Sequence, residues 1–225
     1  MRLNMIVEGQ TEEAFVHRLL VQHLALRNVF VSVRCFETGR KQGTIYRGGI
    51  STFDKIHKDL RSWMREDKAD GVRFTTMIDL YRLPTDFPGM DKARSEKAPL
   101  KKVSLLEENF GHAVNESRFI PYIQLHEFEA LLFSDAQKLS SYYLQHKGPV
   151  GRLVKVERDF PSPEFINDTP ENAPSKRIIK ELPSYRNDKV IVGPLVAERI
   201  GLTAMRAKCG HFQQWITGLE LLAPH

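Results

Sequence analysis

Across residues 3–133, short apolar stretches alternate with amphipathic helical patterns, and three of those stretches run straight into acidic residues. A strand that hands the chain to a helix and receives it back as a neighbouring strand must lie parallel to that neighbour. The alternation therefore predicts an α/β fold: a mostly parallel sheet flanked by helices on both faces, with right-handed crossovers. Residues 3–7 are the first strand, 30–36 the second, 74–78 the third and 119–125 the fourth. Between the first two, Phe15, Leu19, Leu20 and Leu24 form one helical stripe, with Thr11 placed to cap it and Glu12 and Glu13 in the first turn, where carboxylates suit the helix dipole. Phe53, Ile56, Leu60, Trp63 and Met64 mark a second helix ending near Glu66, and Leu100, Val103, Leu105 and Leu106 mark a third.

The rest of the chain is less periodic. Residues 39–49 combine Arg40, Lys41 and Arg47 with glycines, the composition of a flexible basic loop that could be a linker or touch phosphate. Residues 79–89 hold Pro84, Pro88 and Gly89 and read as a long functional loop. Residues 130–133 and 136–143 look helical, 147–175 show no firm period, and 176–182, 190–200 and 211–222 regain helical character, with Gly201 as a stop. We read one domain over residues 1–225, with 1–133 the strand-rich core and 134–225 a mainly helical extension packed on the sheet.

Composition narrows the function. With 225 residues that are 41% hydrophobic, the chain can bury a proper core. No apolar run approaches the roughly 20 residues that span a bilayer, and Glu8 interrupts the first apolar stretch before it could resemble a secretory leader. A cytoplasmic protein is expected, with Cys35 and Cys209 as ordinary reduced thiols at no metal-ligand spacing. The net charge of +5 favours a polyanionic partner. There is no Gly-x-x-x-x-Gly-Lys-Ser/Thr loop for an ATPase and no Gly-x-Ser-x-Gly elbow.

The acids at the strand ends carry the chemistry. Side chains just past the carboxyl ends of parallel strands converge on one crevice, and Glu8, Asp79, and the pair Glu127 and Glu129 follow the first, third and fourth strands. Unpaired acids in one place repel, and a bound cation relieves them; hard oxygen donors suit Mg²⁺ or Mn²⁺. Taken singly, each acid has an ordinary reading as well. Glu8 could be a solvated strand terminus, Asp79 a turn-initiating aspartate, and Glu127 or Glu129 a partner for a helix dipole. Arg82, three residues past Asp79, could steady a phosphate or form a surface ion pair, and Lys176 and Arg177 could contact a phosphate backbone or simply face solvent. His126 could act as an acid or ligand but fits a hydrogen-bonded structural residue better, as does His211.

Residues 6–12, Ile-Val-Glu-Gly-Gln-Thr-Glu, resemble the first motif of the Toprim superfamily, an apolar strand ending in Glu-Gly. Over residues 7–12, 78–89, 124–131 and 200–215 the chain resembles, more narrowly, a Toprim-like family of bacterial proteins labelled as a domain of unknown function and often encoded beside ATPases in phage-defence neighbourhoods. The resemblance implies a Toprim-like nuclease in which Glu8 serves as base or metal ligand, with nucleic acid as substrate and an ATPase as a possible partner protein. One departure stands out: the superfamily's Asp-x-Asp is reduced here to Asp79 followed by Leu80 and Tyr81. Either Glu127 or Glu129 replaces the lost ligand, or the metal site is altered. The expectation is Mg²⁺- or Mn²⁺-dependent phosphodiester hydrolysis; the alternatives are a non-catalytic module binding nucleic acid or an ATPase, and a phosphatase acting on a small substrate.

Overall fold

A computed structural model describes residues 1–41, 44–47, 52–166 and 170–223. Strand β1 (Arg2–Val7) leads into one helical rod made of α1 (Gln10–Phe15), a π-helical turn (Val16–Leu20) and α2 (Val21–Ala25), and then into β2 (Phe30–Cys35). Strands β3 (Glu37–Lys41) and β4 (Thr44–Arg47) pair with each other antiparallel. The basic stretch expected as a loop is therefore strand over its whole described length, as the β-formers Thr44, Ile45 and Tyr46 allow. Residues 42–43 and 48–49 of that stretch lie outside the described residues.

Helix α3 (Phe53–Glu66) brings the chain to β5 (Arg73–Asp79). A short 3-10 turn (Leu80–Arg82), α4 (Met90–Ala93) and α5 (Pro99–Val114) then lead to β6 (Phe119–Ile120) and β7 (Ile123–Gln124). The fourth strand is thus two short pieces. Pro121 has no N–H to give to a ladder, so the strand breaks there. The hydroxyl of Thr76 bridges the gap, donating to the Tyr122 carbonyl at 2.9 Å and accepting from the Tyr122 N–H at 3.2 Å.

All four positions of the main sheet are parallel, in the order β2-β1-β5-β6, with β7 also paired to β5. From β1 the chain steps outward to β2 on one side and then crosses to β5 on the other, so the winding reverses between β1 and β5. In open parallel sheets the crevice outside such a reversal is where ligands bind.

Alternation along the strands sorts the core into two layers. Leu3, Met5 and Val7 face a layer built from Phe15, Leu20, Phe128, Phe212 and their neighbours, whereas Ile6, Phe74 and Ile78 face Ile56, Leu60, Val103 and Phe110. The C-terminal half runs through 3-10 turns (Phe128–Ser134 and Ala136–Ser141), α6 (Lys147–Asp159), α7 (Pro174–Glu181), α8 (Tyr185–Ile200), α9 (Leu202–Lys208) and α10 (Gly210–Glu220). It packs on the first layer: Trp215 stacks on Tyr122 at 4.0 Å and donates through Nε1 to the Thr75 hydroxyl at 3.0 Å.

Three local expectations are corrected. The cap of α1 is Gly9 and not Thr11, which is buried two residues further in, within the first turn; Glu12 reaches back so that its Oε2 accepts the Gly9 N–H at 3.0 Å. Residues 147–159, where the sequence shows no firm period, form α6; Pro149 falls in the first turn, where its missing N–H costs no helical bond. Helix α8 begins at Tyr185, five residues before the expected start at 190, because its apolar stripe is interrupted by Arg186, Asp188 and Lys189. Gly201 does end that helix, at a φ of 78° that favours glycine. Cys35 and Cys209 are both buried and form no disulfide. Among the described residues no helix is long and apolar enough to cross a membrane.

Candidate functional site

The two central strands deliver Glu8 and Asp79 to the reversal point. Glu8 continues the β1–β5 ladder, its N–H donating to the Met77 carbonyl at 3.1 Å, and its side chain turns across so that Oε2 accepts the Asp79 N–H at 3.3 Å. Asp79 in turn accepts the Phe128 N–H through Oδ1 at 2.9 Å. Past β7 the chain swings through His126, whose φ of 63° lies in the left-handed region, and this turn presents Glu127 and Glu129 to the same crevice. Glu127 Oε2 accepts the Ser175 N–H at the start of α7 at 2.9 Å, so part of its duty is to cap that helix. Glu129 Oε1 accepts the Tyr185 hydroxyl at 3.4 Å.

Glu8, Glu12, Asp79, Glu127 and Glu129 line one cleft of about 430 Å³ together with Arg82 and Lys189. Glu8, Glu12, Asp79 and Glu129 are each less than a tenth exposed. Burial pushes Glu8 up to about 7, assisted by the neighbouring Glu12 charge and opposed by Arg82. Glu129 is likewise pushed up to about 7, by burial first and Glu127 second. Burial, followed by repulsion from Glu8, Glu12, Glu129 and Glu127, holds Asp79 well above the usual carboxylate range. Arg82 Nε stands 3.5 Å from Glu8 Oε1, yet its side chain is 60% exposed, so solvent weakens the pairing. Two cations thus face five acids in this cleft.

Such a surplus of hard oxygen donors is the chemistry a divalent cation satisfies. Among the described residues, however, no three histidine, cysteine or carboxylate side chains are grouped as a ready-made cation seat. Asp79, Glu127 and Glu12 are each turned to a backbone N–H, and Glu129 to a tyrosine. The donors are oxygens, the kind Mg²⁺ or Mn²⁺ prefers, but as placed they are not gathered around one point among the described residues.

A second cleft, about 440 Å³, shares Arg82, Glu127 and Lys189 with the first and adds Lys176, Arg186 and Tyr81. The acidic and basic clefts therefore adjoin, with these three side chains common to both. Of the two residues expected to contact a phosphate backbone, Lys176 lines this cleft and Arg177 lines neither; the Arg177 Nε donates to the Asn172 carbonyl at 2.8 Å and its guanidinium lies over Phe160. Three contributors escape the sequence reading. Glu12 is accounted for there by the helix dipole alone, and Arg186 and Lys189 precede the expected start of α8. Their spacing of three residues on one helix face is the signal that could have found them.

His126 and His211 are each held in place by hydrogen bonds. His211 pairs with Glu107 at 3.0 Å and stacks on Tyr122. His126 Nε2 donates to the Glu164 carbonyl at 2.9 Å, and burial holds its ring down to about 4, neutral at physiological pH. The buried side chain of Glu164 accepts the N–H groups of His211 and Phe212 at 3.1 and 2.9 Å, fastening the start of α10 to the same short segment.

No curated protein and no solved structure matches the chain. One family model does, over residues 7–220, a span that takes in the end of β1, the acidic and basic clefts and all of α10. The chain with this sheet and this cleft of acids belongs to the family described as domain of unknown function DUF4276.

Proposed function

We propose that the protein is a metal-dependent phosphodiesterase acting on nucleic acid through a Toprim-like site. The observation that carries the reading is the adjacency of the two clefts: the buried acids at the strand reversal share Arg82 and Lys189 with a neighbouring cleft that adds Lys176 and Arg186. A polyanion laid along the cations presents its phosphates to the acids. Glu8, Asp79 and Glu129, with Glu127 at the border of the two clefts, are the residues that would hold Mg²⁺ or Mn²⁺. Such an ion, when bound, polarises a phosphoryl group and lowers the pKa of water.

The chain's own residues have distinct tasks. Arg82, already within ionic reach of Glu8, neutralises charge that grows on the phosphate. Glu8, at the end of β1 beside the place the ion would take, would hold the ion or take the proton from the attacking water. Lys176, Arg186 and Lys189 fix the backbone without reading bases. The missing second aspartate of Asp-x-Asp is replaced, on this reading, by Glu129 or Glu127 from beyond the end of β7.

Incubation with DNA and RNA in Mg²⁺ or Mn²⁺, beside Glu8→Gln, tests the proposal. Cleavage should require the metal, and the variant should lose at least about 100-fold in rate while still binding; equal cleavage by both proteins would remove Glu8 from the mechanism. A binding-only module is the second reading, favoured by the absence of a preassembled cation seat among the described residues. Melting curves separate the two. A metal site filled to about a hundred times its Kd raises stability by about 2.7 kcal/mol, whereas a binding-only protein melts at the same temperature with and without Mg²⁺.

A further inference from the structure

Tyr81, which borders the basic cleft, also borders a third cavity of about 290 Å³. Met90, Pro99 and Leu106 give it apolar walls, and Arg94, Lys97 and Lys102 surround it with positive charge. None of these three cations is held in an ion pair among the described residues. His126 closes the cavity, and its ring carries an unmet demand. Because Nε2 must bring the proton to the Glu164 carbonyl, Nδ1 presents a lone pair, and that buried atom has no hydrogen-bond partner among the described residues. A buried acceptor left unsatisfied is costly, so a ligand N–H that reaches it gains more than an ordinary hydrogen bond.

These features favour a ligand that is anionic at one end, apolar along its body and bearing an N–H donor. The size limits it further, since about 300 Å³ is the lower end for small-molecule sites. We propose that this cavity binds a single nucleotide, its phosphate among Arg94, Lys97 and Lys102, its heterocycle against Met90 and Leu106, and an amino N–H of the base directed at His126 Nδ1. That the nucleotide is the end of a strand whose next phosphate enters the basic cleft rests on the nuclease reading. Nucleotide binding itself does not.

Calorimetric titration of the full chain with AMP in EDTA is the test. AMP should bind one-to-one, with adenosine and inorganic phosphate each at least about tenfold weaker, the worth of one charge-assisted hydrogen bond. Purine riboside monophosphate, which lacks the amino donor, should also bind less tightly than AMP. Lys97→Met and Lys102→Met should each weaken AMP about tenfold; both side chains face solvent at least in part, and Arg94→Gln serves as an independent third variant. No AMP binding, or binding undiminished in all three variants, overturns the proposal. Cleavage assays on the same preparations keep the two readings apart: AMP binding without metal-dependent cleavage sinks the nuclease and leaves the cavity, and cleavage without AMP binding does the reverse.

Discussion

Glu129 shows how a single side chain can set the pH response of this fold. Its acid is pushed up to about 7 by burial, against 4.5 for a free glutamate. Between those values the folded protein holds a proton that the unfolded chain releases, so stability falls as pH rises through the window and the full cost is present above about pH 7. In EDTA, Glu129→Gln should therefore be more stable than wild type by about 2 to 3 kcal/mol near pH 8, with the advantage gone near pH 4. Urea unfolding at the two pH values measures it, and a difference that does not change with pH would mean that Glu129 is not a buried acid. With Mg²⁺ the order should reverse, because the variant lacks a ligand. Glu8, Asp79, Glu127 and Glu129 are legible in the sequence because a strand end is a place that can be read from periodicity alone. Glu12 is not, since a first-turn acid has a sufficient local explanation, and only the bend that aims its carboxylate back at Gly9 brings it into the cleft.

At the scale of elements, the cleft depends on how closely α8 approaches the 3-10 turn that carries Glu129. Gly193 makes the approach possible: a Cβ there would meet the Tyr185 hydroxyl at 3.0 Å and a Phe128 ring carbon at 3.2 Å. Gly193→Ala should cost about 1 to 3 kcal/mol by overpacking and should disturb the Tyr185 bond to Glu129. Denaturant melts check the first, and Mg²⁺ titration the second; a variant as stable as wild type would show that the two elements have slack. The strands and the helices α1, α3 and α5 are legible because their apolar residues recur at clean periods. Helix α6 is not, with Gly148, Pro149 and Gly151 in its first turns. The pairing of β3 with β4 is hidden for a related reason: a stretch that mixes Arg40, Lys41 and Arg47 with glycines has the composition of a loop.

For the whole molecule, net charge understates the surface that matters. The formal +5 is modest, yet Arg82, Lys176, Arg186 and Lys189 gather on one cleft. If a nucleic acid lies along it, the slope of log affinity against log salt should shrink by about 2 when Lys176 and Arg186 are both changed to Ala, close to one for each phosphate that is no longer neutralised. Fluorescence anisotropy over a salt series reads this, and an unchanged slope would move the binding face elsewhere. The winding reversal between β1 and β5 explains why the acids and these cations meet at all: it is a property of chain order, which the strand pattern suggests without fixing.

Glu164 joins places that lie far apart along the chain, since its carboxylate anchors the opening turn of α10 while its carbonyl steadies the ring of His126. The last helix thus buttresses a wall to which it lends no side chain of its own. If the chain is the nuclease proposed, a shortened protein ending before Gly210 would keep every acid and every cation of the two clefts and still lose activity. Deletion mapping would then credit the tail with chemistry that belongs to the sheet, and point substitutions at Glu164 would expose the error.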